Sequence, residues 1–257
     1  MTLMSKIKIY SAISNDEFYV MYQPIFNNIT QLYDGAEALL RWRNKAGVEI
    51  NPAEFIKLAE CSGCIIPLTL HLFHLVRSDI KSWPEGKDIK ISLNISSIHF
   101  QSQYFINDIL SLTHEAPANV SFIIELTERF PVHNDKQILQ IFNRLKMMGI
   151  SLALDDFGSG YSNFDLLAKF HFDYVKLAGD LLENIHSNER ALSIVMSSLS
   201  LISELGAISV IEHIETQMQY DLLIKNSCLF QGFLFSKPLS NHEFLCFMQM
   251  NNLEFSR

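Results

Sequence analysis

Short apolar runs alternate with helical patterns along most of this chain. Seven runs rich in Ile, Val, Leu and Phe have the length and composition of β-strands. They are Gly35–Trp42, Lys90–Ser96, Ser121–Thr127, Ile150–Asp156, Tyr174–Leu177, Ala207–Glu212 and Leu229–Phe235. Between them, apolar spacing and flanking Pro or Gly residues indicate helices, for example at Pro52–Cys61 and Gln137–Met148. This alternation predicts an α/β fold with a parallel sheet, and 257 residues favour a single TIM-like (β/α)8 barrel.

The sequence gives no reason to divide the chain further, because it contains no Pro-, Gly- or Ser-rich linker and no obvious repeat. We assign residues 17–250 to the barrel domain, residues 1–16 to a short N-terminal segment and residues 251–257 to a C-terminal tail. Met1–Tyr10 lacks the features of a secretory signal. The apolar stretch Ala191–Ile211 is interrupted by serines, Glu204 and Gly206, which is typical of a buried helix followed by a strand. We therefore expect a cytoplasmic protein with reduced cysteines and no membrane association.

The overall charge limits the kind of ligand that the protein can bind unaided. The formal net charge is −8, with 48% hydrophobic and 19% charged residues. This composition supports a sizeable core and argues against a protein that binds nucleic acid polymers through a basic face. An anionic substrate would need metal ions or a few well-placed cations.

Each predicted strand carries a polar residue near its C-terminal end. These residues are Glu37, Asn94, Glu125, Asp155, Lys176, Glu212 and Gln231. From Asn94 onward the separations suit one strand–helix unit each, and the longer separation of Glu37 from Asn94 leaves room for two units. We expect these residues to converge at the C-terminal mouth of the barrel, where barrel enzymes have their active sites.

The chemistry of this set points to hard metal ions. Carboxylate and amide oxygens without Cys or His favour Mg²⁺ or Mn²⁺ over Zn²⁺. Divalent cations would also offset the repulsion between the adjacent Asp155 and Asp156. Two such ions could clamp a phosphoryl group and activate water, with Lys176 steadying the water or a phosphate oxygen and Glu212 accepting a proton. A single strand-end carboxylate is more often a structural group, but the seven together favour a site for phosphodiester hydrolysis.

Several motifs resemble those of the EAL-domain phosphodiesterases, which hydrolyse cyclic di-GMP to linear pGpG with Mg²⁺ or Mn²⁺. The matching segments follow the family order from about Phe18 to Leu245. They are YQPIF (Tyr22–Phe26), GAEALLRW (Gly35–Trp42), PAEFIKLAE (Pro52–Glu60), LNIS (Leu93–Ser96), IELTE (Ile124–Glu128), LALDDFGSGYSN (Leu152–Asn163), VK (Val175–Lys176), IEHIET (Ile211–Thr216) and QGFLFSKPL (Gln231–Leu239).

The resemblance implies a role for each matching residue. It assigns metal ligation to Glu37, Asn94, Glu125, Asp155 and Asp156. It implies that Glu212 is the general base and Lys176 the catalytic lysine. It assigns substrate contacts to Gln23, Leu39, Arg41 and Gln231, and supporting roles to Glu215 near the metals and to Glu128, which would anchor the loop from Asp156 to Asn163. It also implies two metal ions per site, cyclic di-GMP as the ligand and a homodimer.

Two positions depart from the family pattern. The family usually has Asp two residues after the lysine, where this chain has Ala178, and that aspartate helps to hold the second metal ion or its water. Asp180 lies beyond the predicted strand end, and we do not assume that it substitutes. The family usually has Gly at the position of His213. Strand alternation would point His213 away from the face that Glu212 uses, so we expect a packing change there and no new ligand.

Two further patterns suggest metal or redox chemistry, but a structural role explains each of them better. Cys61 and Cys64 form a C-x-x-C sequence where a helix ends, so the helix dipole opposes thiolate formation. His71 and His74 share a predicted helix, but no carboxylate stands near them in the sequence.

Three functions stay open on the sequence alone. The complete set of motif residues favours an active cyclic di-GMP phosphodiesterase. Ala178 is the best support for a non-catalytic EAL module that senses the nucleotide or binds a protein. A phosphodiesterase for a different substrate is the third alternative.

Overall fold

The structure, a computed structural model, describes residues 2–127, 135–159 and 164–253. The strands are β1 (Phe18–Asn27), β2 (Leu32–Arg43), β3 (Glu49–Ile50), β4 (Ile89–Asn94), β5 (Val120–Thr127), β6 (Ser151–Phe157), β7 (Tyr174–Leu177), β8 (Ile208–Ile211) and β9 (Leu229–Phe230). The helices are α1 (Thr2–Ser14), α2 (Pro52–Ser62), α3 (Ile65–Ile80), α4 (Ser97–Phe100), α5 (Phe105–Thr113), α6 (Asp135–Met147), α7 (Phe164–Lys169), α8 (Glu189–Glu204), α9 (Gln217–Leu223) and α10 (Asn241–Leu253). A 3₁₀ turn, Gly179–Leu181, follows β7.

The strands form a closed barrel. The sheet order is β1-β9-β8-β7-β6-β5-β4-β2, and a further pairing of β1 with β2 closes it. The two-residue β3 lies outside this ring, paired only with the end of β2. The predicted eight-stranded α/β barrel is therefore confirmed.

The first strand and the first connection differ from the prediction. β1 runs antiparallel to both of its neighbours, β2 and β9, so the sheet is not wholly parallel. We did not predict β1 as a strand, because Pro24 interrupts its apolar run and proline cannot donate a ladder hydrogen bond. The long connection between Glu37 and Asn94 is also not two strand–helix units. It contains α2 and α3 in succession, and its only strand is the short β3.

Local sequence signals fix the ends of several helices. α2 begins at Pro52, where the side chain of Asn51 accepts a hydrogen bond from the Ala53 amide at 2.9 Å. It ends at Gly63, which has a left-handed φ of 71° and lets the chain turn directly into α3. The predicted helix before β8 is also confirmed, as α8.

Apolar side chains fill both the inside and the outside of the barrel. Residues from six strands form a cluster of their own inside the ring: Ile25, Ile123, Ala153, Tyr174, Val210 and Leu229. A much larger cluster packs the helices against the outer face of the strands. A third cluster, which includes Ile9, Trp42 and Phe55, packs α1 and α2 beside β1 and β2. None of the helices in the described part of the chain combines the length and the hydropathy that a bilayer-spanning segment requires.

Candidate active site

The polar strand residues stand one layer above the apolar filling of the barrel. Side chains two residues apart on a strand point to the same face. Each residue of the interior cluster therefore has a polar residue two positions away on the same side of the sheet. The pairs are Ile123 with Glu125, Ala153 with Asp155, Tyr174 with Lys176, Val210 with Glu212, Leu229 with Gln231 and, along the reversed β1, Ile25 with Gln23. The barrel therefore brings together residues that lie far apart in the sequence, as predicted.

Lys176 lies at the centre of this layer. Its ammonium is within ion-pair distance of four carboxylates: Glu125 at 2.8 Å, Glu212 at 2.9 Å, Glu37 at 3.2 Å and Asp155 at 3.5 Å. The Lys176 side chain is only 2% exposed. A buried ammonium surrounded in this way holds together carboxylates that would otherwise repel one another.

Amide side chains complete the environment of Glu37. Asn94 donates to one carboxylate oxygen of Glu37 at 2.5 Å, and Gln231 donates to the other at 2.8 Å. The amide of Gln231 also donates to the side-chain oxygen of Gln23 at 3.2 Å. Both oxygens of Glu37 are therefore oriented by side chains from three other places in the barrel, Asn94 of β4, Lys176 of β7 and Gln231 just beyond β9.

A second acidic group lies at the end of β6. Carboxylate oxygens of Asp155, Asp156 and Glu212 lie within 4.8 Å of one another, and no other three His, Cys, Asp or Glu side chains among the described residues are grouped as closely. Asp156 has a left-handed φ of 60°, and its amide donates to Asp155 at 3.0 Å. This turn lets two consecutive aspartates face the same space, which a regular strand would not allow.

Burial and the charges of neighbouring side chains shift the pKa values of the groups in this layer. Burial disfavours the charged form of Lys176, but the carboxylates around it, Asp155 foremost, outweigh burial and raise its pKa well above the ordinary value. Burial raises the pKa of Glu125 well above its ordinary value and that of Glu212 to about 7. Burial acts on Glu37 in the same direction, but the charge of Lys176 and the hydrogen bonds to Glu37 lower its pKa. The layer thus contains carboxylates of very different basicity.

Two connected cavities open over these residues. The smaller has a volume of about 340 Å³ and is lined by Glu37, Asp155, Asp156, Lys176, Glu212, Glu215, Gln23, Gln231, Leu39, Arg41, His213, Gly232, Phe233 and Pro238. The larger, about 540 Å³, extends towards α2 and α3 and shares Leu39, Arg41 and Asp156 with the first. Together they offer an elongated space that begins at the acidic groups.

The structure brings most of the predicted site residues to one place. Every residue assigned to metal ligation, catalysis or substrate contact lines a cavity or contacts a residue that does. Glu215 lies on the cavity wall, and its amide donates to Gln219 at 2.9 Å at the start of α9. Glu128 lies outside the described residues, as does the far part of the loop that ends at Asn163.

The two departures have different outcomes. Ala178 is almost fully buried at the end of β7, and Asp180 is exposed on the following turn, away from the cavity lining. The strand alternation on which the predicted orientation of His213 rested does not hold, because β8 ends at Ile211 and His213 has a left-handed φ of 55°. His213 is one of the residues that line the smaller cavity.

Sequence reasoning missed some of the cavity wall. Phe233 and Pro238 line the smaller cavity, and Ser96 lines the larger one, where it donates to Glu60 at 2.6 Å. The signal was available, because all four lie inside the motifs that resemble those of the family.

The other two patterns lie away from this site. His71 and His74 are on α3, with ring centroids 6.4 Å apart. Cys61 lies in the last turn of α2, as predicted, whereas Cys64 precedes the first turn of α3, and all four cysteines are free thiols.

Comparisons with known proteins agree with this architecture. A family model described as "EAL domain" matches residues 8–238. The probable cyclic di-GMP phosphodiesterase PdeG of Escherichia coli strain K12 is 35% identical over 235 residues, which cover 89% of this chain and 46% of PdeG. The cyclic di-GMP phosphodiesterase PdeL of the same strain is 32% identical over 238 residues, which cover 91% of this chain and 66% of PdeL.

Solved structures share the fold over nearly the whole chain. The EAL enzyme Bd1971, in a form with cAMP and cyclic di-GMP bound, has a TM-score of 0.85 and 25% identity, covering 95% of this chain and 68% of that one. The PaMucR phosphodiesterase in complex with c-di-GMP has a TM-score of 0.84 and 24% identity, covering 94% of this chain and 100% of that one. The present chain spans less than half of the length of PdeG. Since the family model matches well over half of the sequence, the chain belongs to the EAL-domain family.

Proposed function

We propose that this chain is a metal-dependent phosphodiesterase that hydrolyses cyclic di-GMP to linear pGpG. The observation that carries the proposal is the layer of carboxylates that meets at the barrel mouth around Lys176, with Asp155, Asp156 and Glu212 close enough to share an ion. The names of two relatives, the probable cyclic di-GMP phosphodiesterase PdeG and the cyclic di-GMP phosphodiesterase PdeL, support this choice of substrate.

The donor set fits hard divalent cations. The residues assigned to metal ligation offer only carboxylate and amide oxygens, which suits Mg²⁺ or Mn²⁺, whereas Zn²⁺ would favour nitrogen or sulfur ligands. Glu37, Asn94, Glu125, Asp155 and Asp156 would hold two ions. When bound, such ions polarise the phosphodiester and lower the pKa of a water molecule.

The protein side chains supply the remaining steps. Glu212, with its raised pKa of about 7, is suited to accept the proton of the attacking water at neutral pH. Lys176 holds Glu37, Glu125, Asp155 and Glu212 in fixed positions and keeps its positive charge beside the reacting phosphate. Arg41, half-buried where the two cavities meet, can donate two parallel hydrogen bonds to a phosphate.

The shape of the site also suits a dinucleotide. The phosphodiester would lie over the acidic groups in the smaller cavity, and the larger cavity would accommodate a base against apolar residues such as Ile56 and Leu68. Leu39 and Arg41, which line both cavities, would contact the substrate between them.

Ala178 favours a second candidate function, a non-catalytic module that binds the nucleotide. Its buried methyl group offers no oxygen at the end of β7, where the family pattern has a carboxylate. Such a module would bind cyclic di-GMP without product, and the Glu212→Gln change would leave both its binding and its lack of turnover unaltered.

The test is turnover of cyclic di-GMP by the purified chain with Mg²⁺ or Mn²⁺. We expect linear pGpG, with cyclic mononucleotides and pGpG itself turned over far more slowly. Glu37→Ala should abolish activity, because it removes a metal ligand and also a partner of Asn94, Lys176 and Gln231. No product at any metal concentration would refute the proposal. The resemblance further suggests a homodimer, which sedimentation of the same sample would reveal.

A further inference from the structure

His213 occupies an unusual place on the wall of the smaller cavity. It follows Glu212 directly, just beyond the end of β8, and its φ of 55° is left-handed, a conformation that is uncommon outside Gly and in which Asn, Asp and His are enriched. His213 is exposed and is one of the residues that line the cavity, with Asp155, Asp156 and Glu212. The left-handed turn therefore places His213 on the wall of the space that the substrate would occupy.

The imidazole of His213 packs closely against the backbone of Gly179. A methyl group on Gly179 would overlap the His213 ring, since its carbon would lie 2.5 Å from Cγ. The backbone of Gly179 is not left-handed, so the ring of His213 is what makes a side chain at position 179 unfavourable. The segment after β7 therefore packs against the segment after β8 at the His213 ring.

His213 is also a free hydrogen-bond donor in a cavity that has few of them. Among the lining residues, those with side-chain N–H groups are Gln23, Arg41, Lys176, His213 and Gln231. Lys176 is surrounded by carboxylates, Gln231 donates to Gln23 and Glu37, and Gln23 donates to the carbonyl of Ser236. Within the described part of the chain, neither ring nitrogen of His213 has a hydrogen-bond partner. Arg41 is the other donor with capacity to spare, since among the described residues it donates to the carbonyl of Leu40 alone.

We propose that His213 is a substrate-binding residue, whose imidazole donates a hydrogen bond to an anionic oxygen of the bound dinucleotide. This inference rests on the proposed function. The wall around His213 is acidic, with Asp155, Asp156, Glu212 and Glu215, so a negatively charged substrate gains from each neutral or positive donor there. A contact made equally in the ground state and the transition state lowers KM and leaves kcat unchanged.

Two substitutions at position 213 separate the side chain from the backbone. His213→Gly removes the imidazole and keeps the left-handed conformation, which Gly adopts freely. His213→Asn also tolerates this conformation and retains an N–H donor. We expect His213→Gly to raise KM for cyclic di-GMP about tenfold with kcat within about twofold, as loss of one hydrogen bond to a charged group would do, and His213→Asn to recover part of the loss.

Binding without turnover provides a second measurement. In a Glu212→Gln background, the Kd for cyclic di-GMP measured by calorimetry should rise on His213→Gly by about the same factor as KM. The melting temperatures of all variants are compared first, so that only folded proteins enter the comparison.

Gly179→Ala tests the contact between Gly179 and the His213 ring without removing the imidazole. In the wild-type chain the added methyl group displaces the ring, so KM should rise nearly as much as in His213→Gly. In the His213→Gly background the same change meets no ring and should have no further effect. Such non-additivity would identify the pair as one unit.

The outcomes are distinguishable. If the wild-type chain neither binds nor hydrolyses cyclic di-GMP, the proposed function fails and this inference fails with it. If the wild-type chain hydrolyses cyclic di-GMP but His213→Gly leaves KM and Kd within about twofold, only the role of His213 is refuted. A fall in kcat at unchanged KM would also contradict the assignment.

Discussion

At the scale of single residues, Lys176 decides whether the acidic layer can exist. Four carboxylates lie within 3.5 Å of its ammonium, and all of these groups are buried. Burying an uncompensated charge is far more costly than burying a pair, so the lysine has a structural role in addition to the catalytic one proposed for it. The sequence predicted Lys176 near the end of an apolar strand, and the structure adds its burial among four carboxylates.

Replacing Lys176 should therefore destabilise the protein as well as inactivate it. We expect Lys176→Met to lower the free energy of unfolding by about 3–5 kcal/mol in the presence of a chelator, because the carboxylates lose their counter-charge. Adding Mg²⁺ or Mn²⁺ should raise the melting temperature of the variant more than that of the wild type. Denaturant unfolding and thermal melts would measure both effects.

Lys169 provides the matched control. It lies on the surface, with Asp165 at 2.9 Å and Asp135 at 3.6 Å, so Lys169→Met should cost at most about 1 kcal/mol. Equal stability of the Lys176→Met variant and the wild type without cations would contradict the role given to Lys176.

A second residue-scale prediction concerns Ala178. Because it is 3% exposed at the end of β7, an aspartate there would point a carboxylate into a crowded acidic region. Ala178→Asp should lower the melting temperature in chelator and increase Mn²⁺ affinity about tenfold, measured by titration calorimetry. The control is Asp180→Asn on the adjacent turn, which should leave the titration unchanged. Identical Mn²⁺ titrations of Ala178→Asp and wild type would show that position 178 is not part of the metal site.

At the scale of elements, the sequence predicted the strands that obey simple patterns. β4 to β8 follow β-type runs bounded by turn residues, and their predicted limits match the structure within a few residues. We did not predict β1, because the strand pattern does not allow for Pro24 in a paired strand. The pattern also does not indicate the direction of that strand. The antiparallel β1 is stabilised by ten residue pairs with β2, which no local signal encodes.

One close approach between strands yields a test at this scale. Gly35 of β2 lies against Lys90 of β4, and a methyl group on Gly35 would overlap the carbonyl oxygen of Lys90. Gly35→Ala should therefore separate the two strands and lower the free energy of unfolding by more than about 2 kcal/mol, measured in urea.

Gly63→Ala is the comparison for this change. Gly63 ends α2 with a left-handed φ of 71° and has no atom near a prospective methyl group, so only backbone strain of about 1 kcal/mol is expected. If the two variants were equally stable, contact between the β2 and β4 backbones would not be what requires glycine at position 35.

At the scale of the whole molecule, the site was more predictable than its surroundings. Strand-end carboxylates of a barrel must converge, so Glu125, Asp155 and Glu212 could be placed together from spacing alone. The turn at Asp156, the conformation of His213 and the depth of Lys176 could not, because each depends on loop geometry or on several strands at once. The sequence therefore predicts which residues come together in the site better than it predicts their backbone conformation or their burial.

The stability of the whole molecule should also depend on a buried histidine that is not part of the acidic layer. His99 of α4 is fully buried against Phe105, and its Nε2 lies 3.0 Å from Asp108 of α5. Burial lowers the pKa of His99, although Asp108 acts in the opposite direction. Below the ordinary histidine pKa of 6.5, the unfolded chain therefore takes up this proton more readily than the folded one, and stability is lost as the pH falls.

Urea unfolding of wild type and His99→Gln at pH 7.5 and at pH 5.5 would measure this contribution. The variant lacks the titrating ring, so its stability deficit at pH 7.5 should shrink at pH 5.5, while other groups titrate equally in both proteins and cancel. His186→Gln, at an exposed position, should follow the wild type at both pH values. A stability deficit that stays constant or grows on acidification would mean that protonation of His99 does not destabilise the folded protein. Packing alone would then account for what His99 contributes to the α4–α5 contact.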